Sequence, residues 1–102
     1  MIEMMLADEF FPAIRNGNKT STVRRGRRHV PNGPLRFNSP RTTANVKVEV
    51  TGTRRTTLDQ LTDEDAVRDG FTNRDGLVDV LTGIYGELSP TEPVTIIEFR
   101  RT

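Results

Sequence analysis

The sequence predicts an α+β fold, a small, curled, mostly antiparallel sheet of five or six strands with two or three short helices. Three observations carry this. Val46, Val48 and Val50 alternate with Lys47, Glu49 and Thr51, the period of a half-buried strand. Thr62 is followed by three acids and then by an apolar face of Leu77, Val80, Leu81, Ile84 and Tyr85, which marks helices in mid-chain. Val94 to Arg100, entered through Pro93, reads as a closing strand. Strands near the ends with a helical insert, and neither repeats nor a linker, predict a single domain over residues 1–102.

Each element has its own local cause. Asp8 to Asn16 reads as a short helix with Phe10, Phe11 and Ile14 at helical spacing, Pro12 in its first turn and Gly17 as a left-handed stop. Thr20 to Arg25 reads as a strand. Residues 26 to 45 hold three of the six prolines and two of the eight glycines, and read as a long surface loop around a short strand at Leu35 to Phe37. Thr62 caps a helix that carries Asp63, Glu64 and Asp65 in its first turn and stops at Gly70, and Thr72 caps the next.

Composition narrows the chemistry. Of 102 residues 33% are apolar and 28% charged, so the core is small, and a net charge of +1 leaves any affinity for nucleic acid to local clustering. No apolar run approaches the ~20 residues of a membrane span, so no membrane partner is expected. The start, MIEMMLADEFF, has acids where a signal peptide would be apolar, which predicts a cytoplasmic protein. There is no cysteine, hence no disulfide, thiol nucleophile or thiolate zinc site, and the single histidine, His29, cannot build a zinc triad. No metal or cofactor is expected; the sequence leaves the oligomeric state open, with a monomer favoured. An enzyme made from this sequence must use hydroxyls, lysine, arginine and carboxylates.

The stretch GNKTSTVR, residues 17 to 24, is where those groups gather. The chain has thirteen arginines but only two lysines, and Lys19 stands here beside Thr20, Ser21 and Thr22, with Arg24 close behind. To act as a base, Lys19 must shed a proton held at a reference pKa of ~10.4, which requires burial and a nearby cation; Arg24 can be that cation. Otherwise Lys19 is a solvated loop residue. Thr20, Thr22 and Arg24 share one face of the predicted strand while Lys19 has the opposite parity, so on parity alone Thr20 rivals Thr22 as nucleophile. Arg24, Arg25, Arg27 and Arg28 lie within five residues, followed by His29: either a solvated hairpin or a phosphate-gripping edge. One Tyr and no Trp argue against a broad base-stacking platform. Asp69, in the last turn before Gly70, opposes the helix dipole and so invites a role. Tyr85 is core or pocket wall.

Gly17-x-Lys19-x-x-Thr22-x-Arg24 resembles the G-x-K-x-x-[ET]-x-R signature of ASCH domains, small barrels related to PUA RNA-binding domains. The similarity continues through TLDQLTDEDAVRDGF (57 to 71), GIY (83 to 85) and VTIIEF (94 to 99). In order and spacing it is most similar to the small bacterial amidohydrolases that deacetylate N-acetylcytidine. Residues 26 to 45 match poorly. The resemblance implies a PUA-like curled barrel and a triad of Thr22 as nucleophile, Lys19 as base and Asp69 where the family has glutamate, an arm one carbon shorter. It implies a modified nucleoside or RNA as partner. From parity, clustering and helix face, Thr20, Arg24, Arg25, Arg28 and Tyr85 are the residues expected around that substrate. The rival functions are a non-catalytic RNA- or nucleotide-binding module and a ribonuclease using Lys19 and the arginines.

Overall fold

The computed structural model describes residues 1–102. In chain order the elements are β1 (Ile2–Met5), a 3₁₀ turn (Asp8–Phe10), α1 (Phe11–Arg15), β2 (Ser21–Arg25), β3 (Gly33–Asn38), β4 (Asn45–Thr57), a second 3₁₀ turn (Leu58–Gln60), α2 (Asp63–Arg68), α3 (Arg74–Tyr85) and β5 (Pro93–Arg101). The strands form one sheet in the order β1-β3-β4-β5-β2. Every pairing is antiparallel except β1 with β3. This is the α+β architecture the sequence predicts, a curled half-barrel whose two edge strands, β1 and β2, do not pair with each other.

Alternation explains how the sheet buries both faces. On β5, Val94 and Ile96 join a cluster with Val23, Leu58, Leu61, Ala66, Leu77 and Leu81 beneath the helices. Ile97 and Phe99 face the other way, into a cluster with Phe11, Ile14, Leu35, Phe37, Val48 and Val50 inside the curl. A strand buried on both faces reads as a near-continuous apolar run, and VTIIEF comes close to one, interrupted by the buried Thr95 and the half-buried Glu98. On β4 the ladder skips one residue between Val50 and Gly52, a bulge that resets which residues point inward and lets this strand of 13 residues bend around the curl.

Several boundaries differ from the sequence reading, each for a local reason. The helix expected over 8 to 16 begins as a 3₁₀ turn, because Pro12 sits in the first turn of α1. The cap of α3 is Asn73 rather than Thr72: Asn73 Oδ1 accepts the Gly76 N–H at 3.0 Å, and Asp63 Oδ1 accepts the Arg74 N–H at 2.9 Å. The predicted cap of α2 is present as a full capping box, in which Thr62 Oγ1 and the Asp65 carboxylate each accept the other residue's N–H. Strand β1 has no counterpart in the sequence reading, since four residues of IEMM are too short a run to show a period. No helix is long and apolar enough to cross a membrane.

Candidate active site

Two glycines bring the motif lysine to the end of α2. Gly17 ends α1 at φ +85°, and Lys19 N–H then donates to Ala13 O at 2.9 Å. Thr20 N–H donates to Arg68 O at 2.7 Å, which ties the segment to the last turn of α2. Gly70, at φ +96°, follows that turn, and a Cβ there would meet Lys19 Cβ at 3.6 Å. That is ordinary van der Waals contact, so glycine is needed here for its left-handed backbone rather than for its missing side chain.

Lys19 is 3% exposed and Asp69 4%. Lys19 Nζ donates to Asp69 Oδ1 in a buried ion pair and to the Asp69 carbonyl at 3.0 Å. The Asp69 Oδ2 accepts the Val23 N–H at 3.1 Å, so one carboxylate holds the lysine and also closes the free edge of β2. The carboxylate that opposes the α2 dipole is compensated by a cation on the same helix end. The Phe10 ring lies 5.5 Å below Lys19 Nζ.

Burial acts on both partners toward neutrality. Desolvation lowers the Lys19 pKa, the Asp69 charge opposes that drop, and the nearby Arg24 cation adds to it. Desolvation raises the Asp69 pKa, against the pull of Lys19, the Val23 N–H and Arg24. Both shifts favour moving one proton from ammonium to carboxylate, which is what a lysine base requires.

A pocket of about 300 Å³ opens beside this pair. It lies along the seam between the edge strands: Met5 and Leu6 come from the β1 side, Thr22 and Arg24 from β2, and Val80, Ile84 and Tyr85 from α3. Eleven of its sixteen lining residues are hydrophobic, so the polar groups Lys19, Thr22, Arg24, Asp69 and Tyr85 stand out against an apolar wall. Thr22 is 3% exposed and precedes the residue whose N–H Asp69 holds. Arg24 Nη2 is buried with no hydrogen-bond partner. An orphan guanidinium donor in a pocket wall is a seat for an acceptor oxygen. No group of three or more His, Cys, Asp or Glu side chains is placed to hold a metal.

The structure separates residues that the sequence reading grouped. Lys19, Thr22, Asp69, Arg24 and Tyr85 line the pocket; Thr20, Arg25 and Arg28 do not. Thr20 precedes β2, which begins at Ser21; its carbonyl accepts the Phe99 N–H at 2.9 Å while its own N–H goes to Arg68 O. It is exposed, its Oγ1 turned to Arg68 O at 3.5 Å. Arg25 points to the opposite face from Arg24 and meets Glu92 at 3.5 Å. Arg28 Nε donates to Arg25 O at 3.1 Å; it influences the pocket only through its charge, which lowers the Arg24 pKa after desolvation has done most of that. The apolar wall was not anticipated: Phe10 and Phe71, in edge-to-face contact at 6.1 Å, and Leu6 and Pro40. Only the unrecognised β1 could have pointed to the Met5–Leu6 side.

No protein-family model and no curated protein matches the sequence. Solved structures do. ZmASCH from Zymomonas mobilis matches with a TM-score of 0.69 at 20% identity, over 96% of this chain and 67% of that one. The ASCH domain from Lactobacillus crispatus matches with a TM-score of 0.68 at 11% identity, over 97% and 79%. A hypothetical protein of nearly equal length matches with a TM-score of 0.73 at 20% identity, over 98% and 97%. The chain has the ASCH fold. Within that fold the segment resembling the ASCH signature, Gly17 to Arg24, forms the turn and edge strand at the mouth of the pocket.

Proposed function

We propose that this ASCH-fold protein is an amidohydrolase that removes the acetyl group from the exocyclic amine of acetylated cytidine, as nucleoside or within RNA. The observation that carries this reading is the buried Lys19–Asp69 pair, which lines one mostly apolar pocket together with Thr22 and Arg24. In the first step Thr22 Oγ1 attacks the acetyl carbonyl carbon and gives its proton to neutral Lys19 Nζ, with the neutral pair favoured by burial. The carbonyl oxygen becomes an oxyanion facing the free Nη2 of Arg24. The C–N bond then breaks, Lys19 returns the proton to the departing amine, and cytidine leaves. A water attacks the acetyl–threonine ester, again deprotonated by Lys19; the C–O bond breaks, Thr22 regains its proton and acetate is released. Asp69 fixes Lys19 and, in the neutral pair, holds the proton that Lys19 has given up; the proton taken from Thr22 or water stays on Lys19 until Lys19 returns it.

One observation favours the binding-module reading: Lys19 Nζ already donates to both Asp69 Oδ1 and Asp69 O, the pattern of a structural lysine. Incubating the purified protein with acetylated cytidine and following cytidine and acetate separates the two. Stoichiometric release over many turnovers supports the amidohydrolase; binding without release hands the pocket to a nucleotide-binding module.

A further inference from the structure

The arginine cluster that the pocket leaves outside forms a second cleft. It measures about 420 Å³ and is walled by Arg27, His29, Arg55, Thr56 and Thr57, without one hydrophobic or acidic side chain. Arg36, Arg41, Arg54 and Arg68 are each paired with a carboxylate; Arg27, Arg28 and Arg55 are in no ion pair, and the same holds for Arg15, Lys47, Arg100 and Arg101 around a separate cleft that serves as the control below. Arg27, Arg28 and Arg55 are exposed, and guanidinium groups gathered without counter-charge raise the local potential in a way that attracts an anion.

The cleft is rigidly built. Thr95 Oγ1, fully buried, accepts the Arg28 N–H at 2.9 Å and donates to Gly26 O at 2.7 Å. Thr53 Oγ1 donates to Val30 O at 3.0 Å, and Arg55 Nε to Arg28 O at 3.3 Å. Four hydrogen bonds thus pin residues 26 to 30 against β4 and β5. The cleft is also aligned with the pocket. Arg24 and Arg55 flank Thr95 in register on either side, which sets their backbones about 10 Å apart at the ~4.8 Å spacing of neighbouring strands. Arg28 lies near enough to both to bond one and depress the other.

We infer that the Arg27–His29–Arg55 cleft is a phosphate subsite for single-stranded RNA, whose backbone runs from a base held in the Thr22 pocket past Arg28. This rests on reading that pocket as a nucleobase site. Guanidinium groups match phosphate oxygens bidentately, an unstacked base suits a deep pocket, and one Tyr without Trp leaves phosphate contacts as the main source of affinity beyond it.

The test is anisotropy of a fluorescein-labelled, unmodified cytidine-containing hexaribonucleotide against salt. Three arginines on a single strand give a log–log slope of roughly −2, and Arg27→Ala/Arg55→Ala should bring it to roughly −0.7 with at least tenfold weaker binding. Lys47→Ala/Arg100→Ala removes the same charge elsewhere and should leave binding within about twofold; an equal loss there, or a slope unchanged in the first variant, overturns the subsite. Thermal unfolding of each variant guards against misfolding. If RNA binds with the expected slope but acetylcytidine is not hydrolysed, the subsite stands and the deacetylase reading falls.

Discussion

Lys19 Nζ donates to Asp69 twice, to the side chain and to the main-chain carbonyl 3.0 Å away, while the other carboxylate oxygen takes the Val23 N–H at 3.1 Å. One residue therefore ties together the loop after α1, the end of α2 and the edge of β2. Such a pair is energetically two-sided. Its attraction is strong in a dry site, but the desolvation of two charges offsets much of it.

The first prediction follows from that balance. Asp69→Asn keeps the shape and the Val23 contact but leaves an ammonium buried without counter-charge, and should destabilise by about 3 kcal/mol. Lys19→Met should cost less, because the stranded carboxylate keeps its N–H donor and the field of Arg24. The double variant should be more stable than the sum of the two by about 0.5–3 kcal/mol. Denaturant unfolding of all four proteins measures it, and strictly additive losses would show that the two residues are not coupled.

The second concerns the length of the carboxylate arm. The resemblance raises the question whether aspartate is too short here, and the contacts answer it: both oxygens are already in use and Gly70 packs on the lysine stem. An extra methylene has to displace one of these, at about 1–3 kcal/mol of overpacking. Asp69→Glu is thus expected to lower turnover, by as much as ~10²-fold for a 1 Å misplacement. A faster enzyme would mean the helix end has slack.

The third uses the direction of the Lys19 shift. A base must be neutral, so activity is low where Lys19 is protonated and rises with pH through its folded-state value. Since desolvation, aided by Arg24, lowers that value, the ascending limb of kcat/KM should lie below the ~10.4 of an ordinary lysine. Arg24→Gln removes the cation and should move the limb to higher pH. It should also slow the reaction at the plateau, because the pocket loses its orphan donor. A limb that stays in place under this substitution would remove Arg24 from the electrostatics of Lys19.

How much of this was legible in the sequence depended on how local the cause was. Gly17, the Thr62 cap, the valine alternation and VTIIEF each act within a few residues, and each marks its element. Lys19 stood out because lysine is rare here, and Asp69 because it opposes its own helix. The pocket wall was hidden, since Phe10, Phe71, Leu6 and Ile84 are far apart in sequence and meet only because the seam between β1 and β2 brings them together. Thr20 misled for a physical reason. Thr20 lies one residue before β2 begins: its carbonyl still accepts the Phe99 N–H of β5 at 2.9 Å, but its own N–H goes to Arg68 O at the end of α2, so only one side of it belongs to the sheet.

The fourth prediction tests the nucleophile and the base together. Lys19→Arg keeps a cation but not a base, since a guanidinium with pKa above ~12 does not release its proton. It should abolish deacetylation. Thr22→Ala should do the same by deleting the hydroxyl in the pocket, while Thr22→Ser should retain part of the rate because an attacking oxygen remains. Thr20→Ala should keep most of the activity, as its hydroxyl faces Arg68 O outside the pocket. Nucleoside binding, followed by calorimetry, should survive Thr22→Ala and so separate lost chemistry from a lost site. Full activity in Lys19→Arg would end the mechanism, and a Thr20→Ala protein as dead as Thr22→Ala would make Thr20 part of it, against the geometry that turns its side chain away.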